Sequence, residues 1–233
     1  MKAKQIAISS LTLAFLVSVQ YVLSFLSGVE LVTVILLCFC YIFGIRMGVL
    51  TATAFSFIRC FLFGFSPSVV LLYLIYYNLF AVLFGAIGKR STPVWTSIIL
   101  LSLITTSSMY FAVVGLPVST IYQKRMCIML WLLFGITAAI LCSIIVMLVF
   151  YRHMSRERVC VTALAAFVTI CFTLLDDIIS PIIYGWTFET AIGYFYTSFI
   201  AMIPQTICVA LSVFLLFNPI IKIYKKMERN MLQ

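Results

Sequence analysis

Charge is scarce in this chain. Lysine, arginine, aspartate and glutamate together make up 9% of its 233 residues, against about 25% in ordinary soluble domains. There is one histidine, His153, in a polar break, so neither a His-Glu-x-x-His zinc site nor a histidine facing a serine inside a helix can be built. No glycine-rich phosphate loop occurs, which argues against a nucleotide-hydrolysing element within the chain. The adjacent carboxylates Asp176-Asp177 run on into Ile178-Ile179-Ser180 and lack the further carboxylate of a magnesium-diphosphate motif. Eight cysteines (38, 40, 60, 127, 142, 160, 171 and 208) form no Cys-x-x-Cys pair, and all lie within or at the ends of apolar runs. They read as small buried hydrophobes rather than as disulfides or metal ligands. No catalytic centre, metal or cofactor is therefore expected, and the chain does not read as an enzyme.

What is abundant is apolar surface. Residues of the hydrophobic class make up 65% of the chain, more than a soluble core of this size can hide, so lipid must solvate much of the exterior. The formal charge of +9 does not indicate nucleic acid, because the basic residues fall in short breaks between apolar runs and build no aromatic-interleaved face. The N-terminus begins Met1-Lys2-Ala3-Lys4 and stays apolar from Ile6 to Leu26, longer than the roughly 7–15 residues of a cleaved signal core. It reads as a retained first helix.

Eight spans are expected, at about 5–27, 29–44, 46–64, 68–88, 94–117, 127–150, 159–184 and 189–217, forming one all-α transmembrane domain over 1–233. The second is short and closely coupled to the third through Phe43-Gly44-Ile45-Arg46. Ser66-Pro67 and Thr92-Pro93 supply a capping residue followed by proline at a first helical position. With the N-terminus inside, alternation puts twelve of the fifteen basic residues on the cytoplasmic side, the exceptions being Arg59, Lys124 and Arg125. The positive-inside rule thus predicts a multi-pass cell-membrane protein with both termini in the cytoplasm. Omitting spans five and six together would leave that parity unchanged. The basic tail from Lys222 to Arg229 reads as a cytoplasmic stop with general attraction to membrane lipid.

An ionisable side chain inside a bilayer costs about 2.5–3.5 kcal/mol on insertion scales, so each one needs a reason. Arg59 lies ~20 Å out from Arg46 and Asp176 ~27 Å out from Arg158 at 1.5 Å per residue, which puts both in the outer half. Gln20, Asn78 and Gln205 reach neighbouring depths, and Glu30 and Glu189 sit at outer helix ends. A pocket opening outward is the natural meeting place. Asp176 and Asp177 are about 100° apart on a helix, so at most one should face its centre, either contacting a solute or pairing with Arg59. Tyr73, Tyr76 and Tyr77 share a helix face on which a planar solute could stack, although tyrosines also anchor helices at interfaces. Pro204 leaves the carbonyl of Ile200 without its helical donor beside Gln205, or simply kinks the helix. The expected solute-binding set is Glu30, Arg59, Tyr73, Tyr77, Asn78, Asp176, Asp177, Trp186 and Gln205.

Several stretches carry a more specific likeness. Gly28-Val29-Glu30-Leu31-Val32-Thr33, Phe43-Gly44-Ile45-Arg46-Met47-Gly48-Val49-Leu50 and Phe63-Gly64-Phe65-Ser66-Pro67 resemble, in order, motifs of the substrate-binding S components of energy-coupling factor transporters. Asp176-Asp177-Ile178-Ile179 and Ala201-Met202-Ile203-Pro204-Gln205-Thr206 look like the last two helices of that family. The resemblance covers about 5–90 and 159–225. It implies a six-helix core (about 5–90 and 159–217), a vitamin site near the outer face, and a transmembrane coupling subunit driven by two ATPases. The chain departs from the pattern by an apparent inserted helix pair at about 94–150. The family couples through a small-residue stripe on its first helix, and Ala3, Ala7, Ser10 and Ala14, continued by Ser18, supply such a stripe here. The expected function is capture of a water-soluble vitamin or related small nutrient; the alternative is a self-contained carrier coupled to a proton or ion.

Overall fold

The computed structural model describes residues 3–26, 29–90, 99, 102–110, 121–150 and 156–232. Among these residues there is no strand, and the chain is a helical bundle. Its helices are α1 (Ala3–Leu23), α2 (Val32–Phe63), α3 (Pro67–Arg90), α4 (the stretch 102–110), α5 (Ile121–Phe150), α6 (Arg156–Tyr184) and α7 (Phe188–Leu232). Six of them, all but α4, are long and apolar enough to cross a membrane. Most of the expected fifth span and His153 lie outside the described residues.

α2 is one element by continuity but two by geometry. At Gly44 the backbone takes φ 78° and ψ −176°, a conformation that glycine adopts without a Cβ penalty. Beyond it the chain folds back: a Cβ placed on Gly48 would lie 3.4 Å from the Cβ of Cys40, whereas residues eight apart in a straight helix are separated by ~12 Å. The second and third expected spans are thus the two arms of this hairpin, 32–43 and 45–63. Every residue from Val32 to Cys40 is buried, as suits an arm that is apolar on all sides. It forms the axis of the bundle.

α1, α3, α6 and α7 surround that axis and share one core with it. α3 comes closest. A Cβ on Gly85 would meet the backbone of Gly44 and Ile45 at 2.7–2.9 Å, and one on Gly88 would collide with the carbonyl oxygen of Tyr41. α5 lies at the margin of this core, touching it through Ile140 and Leu141 and packing on α6 and α7 through a small second cluster that contains Leu133, Ile170, Phe199 and Met202.

The two ends of the bundle differ in charge. At the end of the Gly44 reversal, Lys4 Nζ donates to the carbonyl of Asn230 at 3.5 Å, the Tyr41 hydroxyl donates to Glu157, and Tyr224 packs edge-on against Phe39 and Phe43. Exposed Arg46, Lys222, Lys225 and Lys226 belong to this end. The opposite end is closed by the turns after α2 and α6, joined through Ser66 Oγ and Tyr184 OH at 2.6 Å.

The close approach of α3 predicts a specific asymmetry. Gly88→Ala should destabilise the purified protein by about 1–3 kcal/mol, because the clash is with backbone. Gly193→Ala, where a Cβ meets nothing within 4 Å, should leave the melting temperature unchanged or slightly raised. Equal melting temperatures for the two variants would contradict this packing.

Candidate functional site

At the end away from most of the basic residues a cavity of about 320 Å³ opens between five helices and the linker after α1. Its wall is formed by Gln20, Leu23 and Ser24 of α1 and its following turn, then Leu26, Val29 and Glu30 of the linker. Arg59 of α2, Tyr73, Tyr76 and Tyr77 of α3, Phe172 of α6, and Ala201, Pro204 and Gln205 of α7 complete it.

Glu30 is held from two sides. One carboxylate oxygen accepts from the Thr33 hydroxyl at 2.9 Å, the other from Gln205 Nε2 at 2.9 Å. The backbone joins in, since Glu30 N–H donates to Cys208 Sγ at 3.4 Å and the thiol lies 3.8 Å from the Glu30 carbonyl oxygen. Gln205 and Cys208 are three residues apart and share one face of α7, so a single stretch of helix fixes both side chain and main chain. The carboxylate also lies just before the N-terminus of α2, where the helix dipole favours negative charge.

Arg59 is positioned by rings. Its guanidinium carbon lies 3.8 Å from the centroid of Tyr73 and 5.5 Å from that of Phe63, in cation–π geometry. Its Nε is buried without a hydrogen-bond acceptor, and among the described residues Arg59 makes no ion pair. It also borders a more open recess beside Phe63, Gly64, Phe65 and Ser66, and so stands between the cavity and the α2–α3 turn.

The aromatic wall follows from helical spacing. Tyr73, Tyr76, Tyr77 and Phe80 recur at the i, i+3, i+4 and i+7 positions of α3 and turn inward together. Tyr76 meets Phe172 at 4.7 Å, Tyr73 meets it at 5.6 Å, and Tyr77 packs on Phe55 at 5.2 Å, all edge-on.

Of the residues expected to bind a solute, the structure therefore gathers Glu30, Arg59, Tyr73, Tyr77 and Gln205 in one cavity. The other four lie elsewhere. Asn78, one helical step of about 100° past Tyr77, faces the second arm of α2. Its Oδ1 accepts from Thr53 at 2.8 Å, and its Nδ2 donates to the carbonyl of Leu74 at 2.7 Å. Asp176 accepts from Ser180 at 2.8 Å and from Tyr194 at 2.7 Å, tying α6 to α7. It does not pair with Arg59. Asp177 lines a separate, mainly apolar cavity of about 450 Å³ with residues of α4, α5 and α7. Its buried oxygens have no hydrogen-bond partner, and the nearby Ser198 hydroxyl donates instead to the Phe195 carbonyl at 3.0 Å. Trp186 stacks on Tyr184 at 5.7 Å and meets Tyr194 edge-on at 5.0 Å, closing the α6–α7 turn.

Gln20, Ser24, Tyr76 and Phe172 join the site although they were outside the expected set. Gln20 and Ser24, four apart at the C-terminal end of α1, offered a polar face that could have signalled this. Phe172 offered none. On α1 the small residues Ala3, Ala7, Ser10, Ala14 and Ser18 are exposed, while Ser9, Thr12 and Leu16 face the bundle.

Compared with protein-family models, with curated proteins and with solved structures, the chain finds no match in any of the three.

The split between cavity and scaffold can be measured. Asn78→Ala and Asp176→Ala each strand a hydroxyl on a neighbouring helix and should destabilise the fold by about 1–3 kcal/mol, seen as a lower melting temperature in detergent. Neither change touches the cavity wall. If either variant kept the wild-type melting temperature, its assignment as an interhelical tie would fail.

Proposed function

We propose that this chain is the membrane-embedded substrate-binding subunit of an energy-coupling factor importer, capturing a water-soluble vitamin or related small nutrient from outside the cell. The observation that carries the reading is the cavity itself: polar and charged groups from α1, the linker, α2, α3 and α7 converge on one space, where lipid exposure would be costly for each. The cavity and most of the basic residues occupy opposite ends of the bundle. By the positive-inside rule the basic end is cytoplasmic and the cavity opens outward, the arrangement an importer's receptor requires.

Capture alone does not move a solute. The sequence offers no phosphate-binding loop, so the energy is assigned to a partner, a transmembrane coupling subunit with two ATPases. The exposed Ala3, Ala7, Ser10 and Ala14 stripe on α1 gives that partner a surface on which helix backbones can approach closely. One observation favours the second reading, a self-contained ion-coupled carrier: Asp177 is an intramembrane carboxylate without a hydrogen-bond partner, the type of group that serves proton relays.

Two measurements test the first reading. A cysteine replacing Lys225 should react with impermeant maleimide only from the cytoplasmic side, and one replacing Glu189 only from outside. Ala7→Leu and Ala14→Leu should abolish association with the coupling subunit and leave solute binding by the isolated chain intact, whereas Gln205→Ala should weaken that binding by about 1–3 kcal/mol. Uptake by proteoliposomes holding this chain alone, driven by a proton gradient and lost in Asp177→Asn, would establish the carrier instead.

A further inference from the structure

The cavity is lined by two formal charges of opposite sign, Glu30 and Arg59, and among the described residues neither forms an ion pair. Glu30 receives one neutral donor on each carboxylate oxygen, from Thr33 and Gln205; this fixes the group, and among the described residues no cation bonds to it. Arg59 lies over the Tyr73 ring, makes no ion pair among the described residues, and has no acceptor at Nε. In a low-dielectric bundle an uncompensated charge is costly. A solute that displaces water from this space must supply both counter-charges itself, or leave a buried charge dry.

We propose, building on the solute-capture reading, that the captured molecule is small, flat and amphoteric. A cationic nitrogen donor meets Glu30, whose fixed oxygens retain lone pairs for it. A carboxylate or similar anionic group meets the guanidinium of Arg59, which can present two parallel N–H donors. A planar ring between them lies against Tyr73 and Tyr76. The volume of about 320 Å³ is at the small end of ligand pockets, which run from about 300 to 1,000 Å³, so the molecule is of single- or double-ring size. A neutral solute would satisfy neither charge, and a singly charged one only half of the pair.

The test uses the full chain in lipid nanodiscs, incubated with yeast extract as a mixed source of metabolites and washed. Retained small molecules are identified by mass spectrometry for the wild type and for Glu30→Gln, Arg59→Gln and Arg59→Lys. The wild type should retain a compound bearing both a basic nitrogen and an anionic group. Glu30→Gln and Arg59→Gln should each retain at least about ten-fold less of it, and Arg59→Lys, which keeps the charge, should retain more than Arg59→Gln. Retention by the wild type of a neutral compound, or of one bearing a single sign of charge, overturns the amphoteric assignment and leaves solute capture standing. Retention of nothing removes the capture reading and this inference together. The wild-type result decides by itself even if a charge-removing variant fails to fold.

Discussion

The fold-back at Gly44 is the constraint on which the rest of the molecule depends. It turns one apolar stretch into two arms and makes the shorter arm the buried axis. It also fixes heights. Glu30 lies fourteen residues before Gly44 and Arg59 fifteen residues after it, so at 1.5 Å per residue each stands roughly 21–23 Å from the reversal. Tyr73 lies fifteen residues before Gly88, which touches Tyr41 beside the same reversal, and reaches the same level by the same arithmetic. One glycine conformation therefore sets an acid, a base and an aromatic face at a common depth, and the close approach of α3 brings them around one space.

Depth was legible in the sequence because it follows from counting. The break at Phe43-Gly44-Ile45-Arg46, the grouping of basic residues, and the levels of Arg59 and Gln205 all come from residue number and helical rise. The direction in which a side chain points about its helix axis was legible only where several residues repeat on one face, as Tyr73, Tyr76 and Tyr77 do. Asn78 shows the limit: its depth suits the cavity, and a single step around α3 turns it to Thr53. The aspartate pair shows it twice over. Adjacency meant that both could not face one centre, but nothing in the sequence revealed that Tyr194 and Ser180 would engage the first and that α4 and α5 would enclose the second. Phe172 could not be foreseen, since a phenylalanine in an apolar run carries no mark of its neighbours.

Most polar groups within the helices are satisfied locally. Ser56, Thr137, Thr162, Thr169 and Thr206 each donate to the carbonyl four residues earlier at 2.8–2.9 Å, the usual way for a hydroxyl to avoid bare exposure inside an apolar bundle. Against that background the buried groups without partners stand out, and Arg59 and Asp177 are the charged ones toward the cavity end. They occupy different surroundings. Arg59 borders a cavity whose wall also carries a carboxylate, an amide and tyrosines, and Asp177 borders one that is almost wholly apolar. The first setting offers hydrogen-bonding and charged partners to a polar solute; the second offers few. This contrast explains why Asp177 bears on the carrier alternative and Arg59 on capture.

α7 connects the two ends. Its Gln205 and Cys208 hold Glu30 at the cavity, and sixteen residues beyond Cys208 its Tyr224 packs on Phe39 and Phe43 beside the reversal. The buried arm of α2 is thus gripped by one helix at both of its ends. Between the two grips lies Pro219, which cannot donate to the carbonyl of Leu215 and so marks the position where α7 bends at least cost. A shift of Gln205 that follows a change at Glu30 has two outlets: it can pass along α7 as a rigid rod and disturb the Tyr224 contact, or be absorbed by bending at Pro219. Packed aromatic contacts resist gradual deformation, whereas a helix already missing one hydrogen bond does not, so the bend is the softer of the two. On this physical ground the cavity end can shift while the basic end keeps its packing.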